Sequence, residues 1–198
     1  MRQTTIALSC DAGYECQPGT DTAWWTTRKA AFECPKGLYC ETKSGTPNGV
    51  AVTACPGGTY RDLTGGSALS SCTNCPSGSY CPQGASKPIL CPPGHFCGAG
   101  VGLPVQVSAG YYSPVYGLAA DAPGGTGTVA CPAKFYCLAG TVIPLKCPGG
   151  KFCTSGLSTD GTNCPAGKFS GAQSIELTTE CRDCWKGHYC PEGSQFPT

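Results

Sequence analysis

Apolar positions in this chain fall in short repeated groups, not in long amphipathic segments. The clearest group runs from Cys75 to Cys81, and its pattern, C-P-x-G-x-(Y/F)-C, recurs from one end of the sequence to the other. A period suited to a helix of useful length is absent, and the intervening Gly and Pro residues favour short strands and turns. The pattern predicts small disulfide-rich repeats, mostly irregular with short β-strands and almost no helix, arranged as an elongated tandem array.

Ten copies of this seven-residue motif align along the chain. The fourth residue is Gly in nine copies, with Lys134 as the exception, and the sixth is aromatic in nine. A turn that needs positive φ explains the restriction to Gly. We expect the aromatic rings to pack over disulfides or prolines as the main apolar burial. The copies begin at Cys10, Cys34, Cys55, Cys75, Cys91, Val107, Cys131, Cys147, Cys164 and Cys184.

Cysteine spacing divides the chain into two alternating pieces. One is a long loop, Cys-x16-Cys, and the other is a double clasp, two C-x5-C motifs in tandem. The predicted division is 1–54, a partial repeat with an insertion at Trp24-Trp25; 55–106, a repeat; 107–163, a repeat whose long loop lacks cysteines; and 164–198, a truncated repeat.

Composition indicates covalent stapling in place of a large core. The chain has 18 cysteines among 198 residues, with Gly 29 and Pro 18, so few side chains are available for burial. An even cysteine count suits a fully oxidised framework. We therefore expect an oxidising, extracellular location, either secreted or at the cell surface. Residues 1–10 are too polar for a signal peptide, which suggests a segment of a longer precursor.

The cysteine-less loop predicts one set of disulfides. Val107 and Thr128 stand where the other long loops have cysteines, and the joint loss of two cysteines is expected if they were partners. This reasoning predicts Cys55–Cys72 and Cys164–Cys181, each worth roughly 3 kcal/mol in the chain-entropy account.

The double clasps leave three pairings open. We favour the first cysteine with the third and the second with the fourth. This choice leaves Cys184 and Cys190 without partners inside the chain, so we expect them to bond to residues beyond Thr198. The predicted pairs are Cys75–Cys91, Cys81–Cys97, Cys131–Cys147, Cys137–Cys153, Cys10–Cys34 and Cys16–Cys40.

Charge and motif content argue against several classes of function. A net charge of +1 with 13% charged residues gives no field that would collect nucleic acid, and no apolar run is long enough to enter a membrane. His95 and His188 occupy a variable position of the motif, and we expect no acid, base or nucleophile to converge with either. We expect no enzymatic activity and no cofactor.

Two kinds of pattern in the sequence resemble metal sites, a zinc-like cysteine spacing and a calcium-like loop. Cys72-x2-Cys75 and Cys181-x2-Cys184 have zinc-ligand spacing, but the repeated motif explains the same cysteines better. The stretch 160–163 lacks the spaced carboxylates of a calcium loop and predicts an ordinary turn. We expect no metal site.

Two surface features remain open. Trp24 and Trp25 form an adhesive or subunit contact if exposed and a local core if buried. No asparagine lies in an N-glycosylation sequon, so we expect any glycan to be O-linked; permissive sites are Thr4-Thr5, Thr26-Thr27, Ser113-Pro114 and Thr178-Thr179.

Together the C-P-x-G-x-Y motif, the sixteen-residue loop and the C-x2-C-P-x-G-x-Y-C junction resemble the ephrin-receptor-like cysteine-rich repeats, relatives of tumour necrosis factor receptor modules. The chain departs from that pattern at Val107, Thr128, Lys134 and the Trp24-Trp25 insertion. The resemblance implies an extracellular structural protein that contacts copies of itself or neighbouring repeats, as a segment of a surface filament or matrix fibre. The alternative is a rod-like ectodomain of a receptor or adhesin that binds or presents a ligand.

Overall fold

The computed structural model describes residues 11–14, 33–42, 50–120 and 127–198. Within these ranges the helical pieces are two 3-10 turns, Leu69–Ser71 and Thr178–Glu180, with no α-helix, and none is long and apolar enough to cross a membrane. The strands, numbered β1 to β16 in chain order, are Leu38–Thr42, Val50–Ala54, Thr59–Tyr60, Thr73–Asn74, Ser79–Tyr80, Ile89–Leu90, His95–Phe96, Val105–Gln106, Tyr111–Tyr112, Val129–Ala130, Phe135–Tyr136, Leu145–Lys146, Lys151–Phe152, Thr162–Asn163, Lys168–Phe169 and Arg182–Asp183.

These strands pair as eight antiparallel hairpins of two strands each. In every hairpin the aromatic residue of one motif lies opposite the second residue before the next motif, as Tyr80 lies opposite Ile89. The second strand of most hairpins ends where the next motif begins with Cys-Pro, because Pro has no N–H to extend the ladder. Each hairpin therefore links one motif to the next.

Cysteine dominates the buried residues. The largest fully buried side chain in the described ranges is Val107, and the next largest are cysteines. Large aliphatic side chains remain outside, including Leu103 at 72% and Ile143 at 74% exposure. The prediction of a small disulfide-rich fold of short strands, without a large apolar core, is confirmed.

The contacts divide the chain into two compact units. Unit 1 comprises Met1–Leu90 and Cys97–Pro104, and unit 2 comprises Cys91–Phe96 and Val105–Thr198. Each unit holds several motifs, so the division into four repeats stays a prediction.

Candidate functional site

The structure closes the double-clasp motifs on themselves. The cysteines at the first and seventh positions of one motif are bonded to each other. Their Cα atoms lie 5.8–5.9 Å apart, an ordinary separation for a disulfide. Cys91 and Cys97 each take part in a disulfide, and no cysteine in the described ranges is free. The motifs closed in this way are Cys34–Cys40, Cys75–Cys81, Cys131–Cys137, Cys147–Cys153 and Cys184–Cys190.

The predicted pairing across each double clasp is therefore wrong. Cys184 and Cys190, expected to lack partners within the chain, bond to each other. Cys34 bonds to Cys40, which contradicts the pairs predicted with Cys10 and Cys16, themselves outside the described residues. The physical reason is that a turn inside each motif brings its two ends together. The other contradicted pairs are Cys75–Cys91, Cys81–Cys97, Cys131–Cys147 and Cys137–Cys153.

That turn requires the fourth residue of the motif. In the motif that begins at Cys34, the N–H of Leu38 donates to the carbonyl of Pro35 at 3.2 Å. Gly37 between them has φ 79°, and the nine fourth-position glycines have φ between 73° and 90°. These values match the third position of a type II turn, where Gly has no steric cost. The prediction of a positive-φ turn is confirmed.

Backbone hydrogen bonds join each motif to the next within each unit. The N–H of Gly37 donates to the carbonyl of Arg61, the seventh residue of the next motif, at 2.9 Å. The carbonyl of Gly37 accepts from the N–H of Cys55, the first residue of that motif, at 2.9 Å. The first of these bonds recurs from Gly13 to Cys40, Gly58 to Cys81, Gly78 to Cys97, Gly94 to Ser113, Gly110 to Cys137, Lys134 to Cys153, Gly150 to Ser170 and Gly167 to Cys190.

A second left-handed residue, a few positions after each motif, adds a third bond. Gly84 has φ 75°, and its N–H donates to the carbonyl of Cys55 at 2.8 Å. We call these three repeated bonds the backbone ladder. The third bond recurs from Gly65 to Cys34, Gly100 to Cys75, Gly117 to Cys91, Gly140 to Val107, Gly156 to Cys131, Ser174 to Cys147 and Gly193 to Cys164.

Several fourth-position glycines also lie against the motif two further along. A Cβ atom on Gly58 would be 2.1 Å from the carbonyl oxygen of Gly100, and one on Gly150 would be 2.2 Å from that of Gly193. A Cβ on Gly167 would meet no atom within 4 Å. Gly58 and Gly150 therefore satisfy two requirements, positive φ and close approach, whereas Gly167 satisfies only the first.

Lys134 shows that the ladder depends on the left-handed backbone and not on glycine itself. Lys134 has φ 75°. Ser174, which follows the motif that begins at Cys164, also has a left-handed φ, of 62°. The N–H of Lys134 still donates to Cys153 at 2.8 Å, and its carbonyl accepts from Cys147 at 3.0 Å. A left-handed conformation costs an L-residue about 1–2 kcal/mol, which the surrounding bonds offset.

Aromatic residues pack on the disulfide of the following motif. Tyr60 packs against a buried cluster of Cys75, Cys81 and Ala85. Phe152 packs in the same way against the cluster that contains the Cys164–Cys181 disulfide. The expected packing of rings over disulfides is confirmed at these two places, where it adds an apolar contact to the ladder.

In the two long loops that contain cysteines, the first cysteine of the motif bonds to a cysteine 17 residues later, outside the motif. Cys55 bonds to Cys72 and Cys164 bonds to Cys181, with Cα separations of 5.8 and 5.9 Å, as the sequence predicted. The seventh position of the first of these motifs is Arg61, whose guanidinium donates to the carbonyls of Thr64 at 2.8 Å and Ser71 at 3.0 Å. The Arg61 side chain therefore joins two parts of the loop backbone by hydrogen bonds. The other long-loop motifs have Ser113 and Ser170 at the seventh position.

In the cysteine-less loop, buried residues stand at both cysteine positions. Val107 is fully buried and Thr128 is 3% exposed. Val107 keeps its backbone ladder bonds, because its N–H donates to Gly94 at 2.9 Å and its carbonyl accepts from Gly140 at 3.0 Å. The loop is thus held by the ladder and by burial where the others have a disulfide.

The cysteines with zinc-ligand spacing are all oxidised. Cys72 and Cys75 belong to two different disulfides, as do Cys181 and Cys184. Asp160, in the stretch first compared with a calcium loop, forms an ion pair with Lys151 at 2.7 Å. The described ranges contain no cluster of metal-ligating side chains.

The two histidines lie in different motifs, and a ring nitrogen of each lies near a backbone carbonyl of its own motif. His95 is half-buried, and its Nδ1 lies 3.1 Å from the carbonyl of Pro93. His188 is exposed, and its Nδ1 lies 3.4 Å from the carbonyl of Lys186. Neither position brings a nucleophile and a base together.

The remaining surface candidates have mixed outcomes. Trp24 and Trp25 lie outside the described residues, as do Thr4-Thr5 and Thr26-Thr27. Ser113 is fully buried, so it is not accessible for glycosylation in the folded chain. Thr178 and Thr179 are exposed, which leaves them as accessible hydroxyls.

A surface cavity in unit 2 was not predicted from the sequence. Its volume is about 530 Å³, and it lies beside the loop that Cys164–Cys181 closes. The one sequence signal for it is Trp185, which replaces the Pro found at the second position of most motifs. Aromatic and polar side chains share the lining, chiefly Phe169, Trp185, Phe196, Ser170, Glu180 and Arg182.

Backbone hydrogen bonds hold Glu180 at the edge of this cavity in its ionised form. Its Oε2 atom accepts from the N–H of Leu177 at 3.0 Å and from the N–H of Glu176. These bonds, with that from Leu177 first, lower the pKa of Glu180, and the charge of Lys134 acts in the same direction. They do so because they stabilise the carboxylate and not the protonated acid.

Comparison with known proteins does not show a family for this chain. No protein-family model matches the chain, and no curated protein matches it. The disulfides themselves indicate an oxidising environment, because such a density of them does not persist in reducing compartments.

Proposed function

We propose that this chain is a non-enzymatic structural protein of the extracellular surface, a segment of a disulfide-stapled filament or matrix fibre. The observation that carries the proposal is the backbone ladder. Its three bonds use the same backbone atoms at successive motifs within each unit, so an added motif finds the same partners as the one before it. Such repetition suits a structure whose length grows with the number of copies.

The mechanical properties of the motifs support the same proposal. Each disulfide ring closes on itself, so tension on the chain meets a covalent cross-link every few residues. The buried groups are mostly cystine sulfur, which needs no large domain core to stay covered. The resemblance to ephrin-receptor-like repeats supports this proposal, since those repeats occur in long extracellular proteins.

A receptor or adhesin ectodomain is the second candidate. The observation that favours it is the surface cavity around Trp185, since a purely structural segment has no need of a cavity lined by exposed aromatic side chains. In that case the repeats would serve as a stalk and the cavity, or the Trp24-Trp25 insertion, as the contact.

Electron microscopy of native, unreduced material tests the proposal. Long fibres of uniform width with an axial repeat are the expected result, and reduction with alkylation should abolish them because the rings are then open. Separate short particles that never associate, at any protein concentration, would contradict the filament and leave the ectodomain candidate.

A further inference from the structure

The cavity in unit 2 has an exposed aromatic wall. Trp185 is 61% exposed and Phe196 is 67% exposed. Trp185 meets Phe169 edge to face, with centroids 5.8 Å apart and planes at 83°, and meets His188 at 5.7 Å and 85°. These contacts fix the orientation of the indole while most of its surface stays open. A preoriented, exposed indole is suited to stacking on a ligand.

The edge of the cavity carries one unused acceptor and one unused set of donors. The Oε1 atom of Glu180 accepts no hydrogen bond from the described residues, while Oε2 is held by the backbone of Leu177. The guanidinium of Arg182 forms no hydrogen bond or ion pair within the described part of the chain, although its backbone is held opposite Phe169 in the β15–β16 hairpin. These two lining charges are opposite in sign, and the charge of Lys134 also acts on Glu180.

This combination selects a class of ligand. An acidic ligand would meet the carboxylate of Glu180, and a purely apolar one would bury Glu180 and Arg182 without partners, which is costly. A neutral sugar has hydroxyls that both donate and accept, and it has a face of C–H groups that packs on the negative face of an indole. The volume of about 530 Å³ lies within the range of small-molecule sites.

We propose that this cavity binds a neutral hexopyranose unit of a glycan. Trp185 stacks on the C–H face of the sugar ring, Glu180 Oε1 accepts from one hydroxyl, and Arg182 donates to a neighbouring hydroxyl. The test of this site does not depend on the filament proposal, because it measures binding to the 198-residue chain whether or not that chain assembles.

Saturation-transfer NMR on the oxidised 198-residue chain tests this site. The probes are cellobiose, mannobiose, lactose and N,N′-diacetylchitobiose, each at millimolar concentration, with digalacturonate as the acidic comparison. The variants are Trp185→Pro, which restores the usual residue of the motif, and Arg182→Met, which keeps the apolar stem but removes the donors. Tyr116→Ala is the matched control, because Tyr116 is 70% exposed and is not among the residues that line the cavity.

The proposal expects saturation transfer from the wild-type chain to at least one neutral disaccharide, and binding at least about tenfold weaker in Trp185→Pro and Arg182→Met. Binding by Tyr116→Ala should match the wild type. A disulfide map unchanged from wild type shows that each variant is folded. No transfer to any neutral probe, transfer to digalacturonate alone, or equal transfer in wild type and Trp185→Pro would overturn the proposal.

Discussion

Replacing Gly150 with Ala tests the close approach of motifs two apart. Gly150 has φ 80°, and a Cβ there would lie 2.2 Å from the carbonyl oxygen of Gly193. Backbone must move to admit the methyl group, because the obstructing atom is not part of a flexible side chain. Gly167→Ala is the matched control, since Gly167 has φ 83° and open space where a Cβ would go.

The two substitutions share every cost except the clash. A left-handed Ala costs about 1–2 kcal/mol, and the smaller entropy of the unfolded chain returns about 0.4–1 kcal/mol. Forcing a methyl group into a filled space costs a further ~1–3 kcal/mol. We therefore expect Gly150→Ala to be more destabilising than Gly167→Ala by about 1–3 kcal/mol, or roughly 5- to 150-fold in an opening equilibrium.

Amide hydrogen exchange by NMR measures this difference locally. The amide of Gly193, which donates to Cys164 at 2.9 Å in the ladder, should lose protection in Gly150→Ala by that factor. The amide of Cys184, which donates to Gly167 at 2.8 Å, should lose far less in Gly167→Ala. Equal losses in the two variants would refute the reasoning, because positive φ alone would then explain both glycines.

Three further predictions concern packing, cross-linking and pH. Tyr60→Ala should lower the free energy of unfolding by about 2 kcal/mol, and Tyr189→Ala, at a site 71% exposed, by less than about 0.5 kcal/mol; denaturant unfolding with intact disulfides measures both, and equal losses would contradict the packing of Tyr60. The double variant Val107→Cys/Thr128→Cys should lose two hydrogens in its intact mass and gain about 3 kcal/mol of stability, whereas Val107→Cys alone should gain none. Because the folded pKa of Glu180 lies below the ordinary 4.5, its stabilisation is complete above that value and is lost as pH falls through the folded pKa; the Leu177 amide should then exchange faster than its intrinsic pH dependence predicts, and Glu180→Gln should abolish the effect.

The turn of the motif and the long-loop disulfides were predictable from the sequence. The glycine at the fourth position predicted the positive-φ turn, and the joint loss at Val107 and Thr128 predicted the long-loop disulfides. Both rest on local stereochemistry or on a comparison between copies. The short strands followed from Gly and Pro punctuation for the same reason.

The disulfides inside the double-clasp motifs and the contacts that join different motifs were not predicted. Spacing alone left three pairings open, and the choice among them depends on the Cα separation across the folded turn, which spacing does not give. The second role of Gly150 depends on Gly193, which lies two motifs away in sequence. The cavity likewise depends on Trp185 and Phe196 meeting through the fold.

Closure of the double-clasp motifs by their own disulfides is the central claim, and peptide mapping without reduction tests it most directly. Trypsin cuts inside each of the last three motifs, after Lys151, Lys168 and Lys186. The structure predicts that peptide 147–151 stays bonded to 152–168, which is bonded to 169–182, and that 183–186 stays bonded to 187–198. A bond from peptide 147–151 to the peptide that contains Cys131, or a free thiol at Cys184, would contradict it.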